Sequence, residues 1–183
     1  NNDRDVFATA KFSIDATRGL VDPLTDHIRV TALLLVNGVW EELPFGVFAL
    51  QMPRKAYRPS HETWEVDAFD LGLHLVDSTT TETYTVASGQ NYITGTDAVA
   101  DILDDLSLRH AFPSTDKTLP GAMTWPAGTP WLRVVNDLLR AAGFYGMWFD
   151  PRGVARTRAL DSLSQRSADV AYEAGDGYVL DEI

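Results

Sequence analysis

Residues 28–40 read Ile-Arg-Val-Thr-Ala-Leu-Leu-Leu-Val-Asn-Gly-Val-Trp, the segment with the clearest structural signal of the chain. An apolar run ends at Asn37-Gly38 and resumes at Val39. Asn-Gly between two apolar runs is the strongest short-range signal of a β-hairpin, because both residues tolerate the positive φ of a type I′ turn. The stretch therefore predicts a hairpin.

The segments on either side extend this β structure. Residues 6–14 alternate apolar and other side chains with a period of two, which predicts a half-buried strand. On the return strand of the hairpin, Pro44 and Gly46 predict an edge, a bulge or a switch between sheets, followed by another strand over 46–52.

A predicted loop at 53–61 leads to residues 64–69, which alternate again and turn an acidic face outward. This gives five predicted strands before residue 72 and no helix signal among them. Such a pattern predicts a barrel or a sandwich.

The middle of the chain changes character. Residues 77–85 are polar and Thr-rich and predict a crossing between lobes. Residues 84–86 predict a short strand, followed by Ser88-Gly89. Thr96 is a predicted helix N-cap, with Asp97 in the first turn. The helix is predicted from apolar residues at helical spacing: Val99, Ile102, Leu103 and Leu106.

A second helix is predicted from Thr129, with Pro130 at the first helical position, to a C-terminal Gly143. Residues 144–149 and 154–160 then predict a hairpin joined by a type I turn, Asp150-Pro151-Arg152-Gly153.

The fold class expected from these elements is α+β. We expect a β-rich, barrel-like or sandwich domain at 1–76 and a smaller α+β domain at 77–160 with two amphipathic helices and a hairpin. Residues 161–183 lose periodicity and are expected to return toward the first domain or to lead into a further C-terminal part.

The composition excludes several classes of chemistry. The 183 residues include no cysteine, which removes thiolate catalysis, Cys-based zinc sites and iron–sulfur clusters. No apolar run approaches the roughly 20 residues of a membrane span. The polar start, without Met, shows no signal peptide and indicates a processed chain or part of a longer one.

The charge is unevenly distributed. The net charge is −11, and no Lys or Arg occurs between Glu62 and Leu108. That stretch holds ten acids: Glu62, Glu65, Asp67, Asp70, Asp77, Glu82, Asp97, Asp101, Asp104 and Asp105. They form either a solvated acidic face or a surface that repels nucleic acid or docks on a basic partner. A protein that tracks phosphates has the opposite sign, so we expect no specific nucleic-acid binding.

The candidate catalytic residues do not form a known pattern. The four histidines are His27, His61, His74 and His110, and none has HExxH spacing or a second histidine three to five residues away. Ser88 and Ser114 lack the GxSxG of a nucleophile elbow.

Binding signatures are also missing from the sequence. The glycines form no phosphate-binding GxGxxG or GxxxxGK. Asp97, Asp101, Asp104 and Asp105 crowd one helix but lack the alternate ligands and sharp Gly turn of a calcium loop. The sequence therefore predicts no catalytic, cofactor-binding or metal-binding residue, and no enzyme activity.

The tryptophans could form a sugar-stacking platform or belong to the core or to subunit contacts. They are Trp40, Trp64, Trp125, Trp131 and Trp148. Trp64 shares a strand face with Val66, and Trp131 lies on the apolar side of its helix, which favours core or subunit contact.

Four segments in this order carry a family resemblance: Gly38 through Phe48, Trp64 through Leu71, Tyr84 through Gly89, and Trp125 through Leu139 with Gly143-Phe144 and Trp148-Phe149-Asp150. Together they resemble the minor tail proteins of long-tailed bacteriophages, which are distantly similar to the tail-hub proteins of contractile phage tails. The resemblance spans nearly the whole chain.

The resemblance implies a structural hub at the tail tip of the virion. It implies a homotrimeric ring that joins the tail tube to host-recognition or cell-wall-penetrating parts, with the distal tail, tape-measure and receptor-binding proteins as neighbours. Any hydrolase would lie further along a longer chain. If residues 62–108 faced the channel of such a ring, their charge would keep passing DNA from adhering.

Two alternatives stay open. Tyr84-Thr85-Val86 with Gly89 and the helix after Thr96 resemble the opening of a peptidoglycan-binding LysM module, although the prolines at 113, 120 and 126 stand where a second helix and a closing strand belong. The other alternative is a cell-wall hydrolase with an unrecognised active site.

Overall fold

The computed structural model describes residues 8–15, 21–22, 25–51, 54–58, 61–87, 98–119 and 121–160. The first half is a five-stranded antiparallel sheet curled into a half-barrel, and its central strand β5 pairs with β1 on one side and with β3 and β4 on the other. Strand β2 pairs with the outer side of β3. The strands are β1 (Thr9–Asp15), β2 (His27–Val36), β3 (Val39–Leu50), β4 (Arg54–Arg58) and β5 (His61–Asp70).

The alternation predicted for the first strand is confirmed where the structure describes it. Alternate residues of β1, Ala10, Phe12 and Ile14, are half-buried, and the residues between them are exposed. They pack against a small core centred on four buried residues of β3 and β5: Phe48, Leu50, Val66 and Ala68.

Two details of the predicted β region are wrong. Strand β4 occupies the predicted loop at 53–61, because this segment forms a hairpin with the start of β5. The return strand of the Asn-Gly hairpin does not break at Pro44 but runs continuously from Val39 to Leu50. The predicted bulge is present, as a register shift between Val30 and Thr31.

A short helix that the sequence analysis did not predict, α1 (Gly72–Asp77), follows β5 directly. Asp70, at the end of β5, is buried, and its Oδ1 accepts a hydrogen bond from the Gly72 backbone N–H at 2.9 Å. Its Oδ2 accepts one from the Ala8 N–H at 3.2 Å. One carboxylate therefore holds the start of α1 and the segment before β1 together.

The second half combines two longer helices with short strand pairs. Its elements are β6 (Tyr84–Val86), α2 (Ala98–Asp105), β7 (Met123–Trp125), α3 (Trp131–Ala141), β8 (Trp148–Phe149) and β9 (Ala155–Arg156). The larger hydrophobic core lies here, with Leu75 of α1, Leu103 of α2, and Leu138 and Leu139 of α3 fully buried. The observed architecture confirms the α+β class.

Both predicted helices are present, with one correction at an N-terminus. Pro130 is the N-cap of α3, with φ −59° and ψ 136°, rather than its first helical residue. The Thr129 hydroxyl does not cap the helix, because it donates to the Pro126 carbonyl at 2.7 Å. Gly143 has φ +78°, as a helix-terminating glycine requires. The predicted caps of α2, Thr96 and Asp97, lie outside the described residues.

The predicted C-terminal hairpin is shorter than expected. Only β8 and β9 pair, with an isolated bridge between Phe144 and Ala159. The turn at 150–153 closes as predicted, since the Gly153 N–H donates to the Asp150 carbonyl at 2.8 Å. The segment predicted at 161–183 lies outside the described residues.

Candidate assembly surface

The hairpin of β2 and β3 extends well past the rest of the sheet. Strand β3 pairs with β5 only through Phe48, Ala49 and Leu50. In the described sheet, residues 31–36 of β2 and residues 39–45 of β3 have only each other as neighbouring strands. We call residues 31–45 the arm. The arm is therefore a two-stranded ribbon that the described part of the chain leaves uncovered.

Both ends of the arm have a clear sequence cause. At the tip, Asn37 and Gly38 have φ values of 51° and 82°, as a type I′ turn requires. At the base, Pro44 pairs with Thr31 and Gly46 with Val30, so Phe45 between them is the extra residue of the β-bulge. A Cβ at position 46 would lie 2.8 Å from the Phe48 ring, so only glycine fits there without a shift.

The arm carries the large exposed apolar side chains of the described structure, apart from Leu160. Trp40 is 64% exposed, Val39 63% and Leu33 61%. The full set on the arm is Leu33, Leu34, Leu35, Val36, Val39, Trp40, Leu43 and Phe45. The largest apolar patch of a typical monomer is about 300–600 Å² and often functional, so a patch of eight such residues marks an interaction surface.

The apolar residues cover both faces of the ribbon. Residues directly opposite in an antiparallel pair point to the same side. Face 1 therefore holds Leu35 with Trp40 and Leu33 with Glu42; face 2 holds Val36 with Val39, Leu34 with Glu41, and Ala32 with Leu43. A continuous apolar run is typical of a strand that is covered on both faces.

The acidic stretch at 62–108 does not form one surface. Asp70 is buried under two backbone N–H groups, and Asp67 pairs with Lys11 at 3.3 Å. Asp101, Asp104 and Asp105 are exposed on α2. Because Asp70 is buried, it cannot line a channel as the sequence predicted. That the exposed carboxylates line one stays a prediction.

Two of the four histidines meet, which the sequence could not show. The Nε2 atoms of His27 on β2 and His74 on α1 lie 2.9 Å apart, with the rings nearly perpendicular, so one ring donates to the other. Burial lowers the pKa of His74, His27 lowers it further, and Asp77 opposes the shift. The Nε2 atom of His110 lies 3.2 Å from Oδ1 of Asp104.

The structure describes only some of the remaining candidate residues. The side chain of His61 and the whole of Ser88 lie outside the described residues, and Ser114 is exposed in a loop. Across the described part of the chain, no three His, Asp or Glu side chains come close enough to hold a metal ion.

The tryptophans divide between core and arm. Trp125 is buried, and Trp131 stacks edge-on against Tyr84 with ring centroids 4.9 Å apart. Trp64 packs against the core of the sheet. Trp40 is the exception, because it lies in the open near the tip of the arm.

The segment that resembles a LysM opening folds only partly as such a module would. The prolines at 113, 120 and 126 predict no closing strand, but β7 is present and pairs antiparallel with β6. Residues 106–119 and 121–122 contain no second helix between α2 and β7.

No helix in the described ranges has both the length and the apolar character needed to cross a membrane.

Comparison with known proteins gives only distant structural likeness. No protein-family model and no curated protein matches the chain. A solved structure similar to it is the tail protein from Neisseria meningitidis MC58, with a TM-score of 0.44 and 13% sequence identity. The match covers 81% of this chain and 45% of that one, so this chain spans less than half the length of that neighbour.

Proposed function

We propose that this chain is a structural component of a bacteriophage tail, acting as a hub-like minor tail protein at the tail tip. Its role is to assemble with other subunits and join the tail tube to host-recognition or cell-wall-penetrating parts. The proposal rests on the order of motifs along the sequence and on the arm, because a likeness at a TM-score of 0.44 is too distant to add weight.

The exposed arm is the observation that carries the proposal. A ribbon with Trp40, Leu35 and Val39 in water is unfavourable for a monomer, since exposed apolar edge strands associate with other chains. A subunit of a permanent assembly gains from the same surface, because obligate interfaces are large and apolar. This favours a structural part over an enzyme or a small binding module.

The finer features of the proposal follow the resemblance. We place the chain in a homotrimeric ring beside the distal tail, tape-measure and receptor-binding proteins, with no specific nucleic-acid contact. The exposed acids of α2, Asp101, Asp104 and Asp105, would keep the surface they occupy unattractive to passing DNA.

The test is to find the chain in virions. Phage particles are purified on a density gradient from the organism that encodes the chain, analysed by mass spectrometry, and labelled with gold-tagged antibodies against the chain. We expect its peptides in intact particles and gold at the distal end of the tail. A chain that stays in the lysate and is missing from the particles would refute the proposal.

Two further assays address the alternatives. A pull-down on purified cell wall tests the LysM interpretation, and a zymogram on embedded cell wall tests the hydrolase. We expect neither retention nor a cleared band. A clear band would overturn the structural assignment.

A further inference from the structure

The pair formed by His27 and His74 joins the sheet to the larger core. His27 is the first residue of β2, and His74 lies in α1, next to the fully buried Leu75. The Nε2 atoms of the two histidines are 2.9 Å apart. Imidazole nitrogen is the commonest metal ligand in proteins, so two such nitrogens that converge from different elements form a candidate metal site.

Both backbones are fixed independently of this contact. His27 is paired with Ala49 in the sheet. In α1, the His74 N–H donates to the Leu71 carbonyl at 3.2 Å, and the His74 carbonyl accepts from the Ser78 N–H at 3.1 Å. Little backbone ordering is therefore lost when the two side chains bind a common ligand.

The distance between the two nitrogens fits one metal ion bound at a right angle. Bonds from a metal ion to imidazole nitrogen are about 2.0–2.1 Å long. Two such bonds to nitrogens 2.9 Å apart enclose an angle of about 90°. That angle is typical of square-planar or tetragonal Cu²⁺ and Ni²⁺, whereas a tetrahedral Zn²⁺ holds its ligands about 3.3 Å apart.

The change from hydrogen bond to chelate needs only the side chains to move. In the hydrogen bond one Nε2 carries a proton, and the ring centroids are 5.1 Å apart. On metal binding that proton moves to Nδ1 of the same ring, which a neutral imidazole allows without losing a proton. Each ring then turns until both lone pairs meet at the metal. His27 is exposed and His74 is half-buried, so the solvent side leaves room for this turn.

The remaining coordination positions face water. The exposure of His27 gives the ion a path from solvent and leaves space for water ligands. Asp77 follows His74 by three residues in α1, a spacing that puts both side chains on one face of a helix. Its exposed carboxylate can accept a hydrogen bond from a metal-bound water, a contact that commonly supports metal sites.

We infer that His27 and His74 chelate one Cu²⁺ or Ni²⁺ ion through their Nε2 atoms, with water in the other positions, and that the ion links β2 to α1. Two protein ligands are consistent with the lack of a three-residue metal cluster among the described residues. The inference does not depend on the proposed tail role.

The experiment measures binding of cupric, nickel and zinc chloride to the chain without an affinity tag, by isothermal titration calorimetry. The pH is about 7.5, above the ordinary histidine pKa of about 6.5. His27→Gln and His74→Gln each remove one ligand. His110→Gln is the matched control, because it removes an imidazole that lies beside Asp104 and not beside another histidine. Circular dichroism without metal verifies that each variant folds.

We expect the wild-type chain and His110→Gln to bind Cu²⁺ and Ni²⁺ alike, to bind Ni²⁺ more tightly than Zn²⁺, and to melt at a higher temperature with the metal. His27→Gln and His74→Gln should each weaken Cu²⁺ and Ni²⁺ binding by more than about tenfold and lose the shift in melting temperature. The electron paramagnetic resonance spectrum of the Cu²⁺ complex should show two nitrogen ligands in the wild type.

Several results would overturn the inference. They are a wild-type chain that binds neither Cu²⁺ nor Ni²⁺, pair variants that bind as tightly as the wild type, a loss of affinity in His110→Gln equal to theirs, and tighter binding of Zn²⁺ than of Ni²⁺. The virion test is separate. A chain found in particles that binds no metal would remove this inference and leave the tail role standing.

Discussion

The indole Nε1 of Trp125 donates a hydrogen bond to Oδ2 of Asp137 at 3.0 Å, and this bond ties β7 to α3. Trp125 is 5% exposed, and its hydrogen bond to Asp137 is partly buried. Arg133 and Arg140 flank the carboxylate, each 3.9 Å from one of its oxygens. This bond adds a link from β7 to α3 to the pairing of β7 with β6.

Replacing that acceptor is expected to destabilise the fold. Asp137→Ala leaves the buried indole N–H unpaired, which costs about 1–3 kcal/mol in the free energy of unfolding. Urea denaturation measures the loss. Asp137→Asn is the control, because it keeps an oxygen acceptor and should lose less. Equal stability of Asp137→Ala and the wild type would contradict the prediction.

Asp70 is expected to be a structural residue rather than a surface charge. Asp70→Ala removes the acceptors of the Gly72 and Ala8 N–H groups and should cost about 3 kcal/mol, since bonds to charged groups are worth about 1.5–3 kcal/mol. Asp70→Asn keeps one oxygen and should lose about half as much. If thermal denaturation showed both variants as stable as the wild type, the carboxylate would have no such role.

Two glycines with positive φ allow backbone strain to be separated from crowding. Gly128 has φ +81° and open space at its Cβ position, so Gly128→Ala should cost about 1–2 kcal/mol. Gly153 has φ +70°, and a Cβ there would lie 3.0 Å from Val47 and 3.2 Å from Leu71. Gly153→Ala should cost a further 1–3 kcal/mol, about the usual cost of overpacking. Equal losses in denaturant unfolding would show that the contact with Val47 relaxes freely.

The stability of the protein should fall as the solution becomes acidic. The pKa of His74 is lowered in the folded protein, chiefly by burial and then by His27, with Asp77 opposing. As the pH falls through about 6.5, His74 of the unfolded chain takes up a proton while His74 of the folded protein stays neutral. The free energy of unfolding therefore decreases with falling pH until the pH reaches the lowered pKa of His74 in the folded protein.

The measurement is the free energy of unfolding between about pH 7 and pH 5, where histidine titrates. His74→Gln should show a shallower decline than the wild type, because the titrating group is gone. His110→Gln is the control, since that histidine lies beside Asp104 and not beside His27. Parallel curves for the wild type and His74→Gln would refute the assignment.

The sequence predicted the elements whose signals are local. The Asn37-Gly38 turn, the alternation of β1 and the spacing of apolar residues in α2 and α3 are all confirmed, because turn type and periodicity depend on neighbouring residues. The sequence missed α1, β4 and β7. These are short elements without periodicity of their own. Strand β7 forms by pairing with the distant β6, and α1 packs into a core shared with α2 and α3, whereas β4 pairs with the adjacent start of β5.

The candidate site shows the same division. An apolar run at 28–36 was visible in the sequence, and a buried core strand would look the same there. The positions of Trp64 and Trp131 favour core or subunit contact for the tryptophans as a group, Trp40 among them. Its exposure depends on the tertiary structure, in which β3 pairs with β5 only at Phe48, Ala49 and Leu50.

By itself the sequence determined an α+β chain with a hairpin at Asn37-Gly38, two amphipathic helices and an excess of acids, because these follow from composition, periodicity and turn chemistry. Tertiary structure alone decided that His27 meets His74, that Asp70 is buried, and that the arm has two uncovered apolar faces. The physical reason is that burial and cross-strand register depend on residues far apart in the chain, which no local pattern specifies.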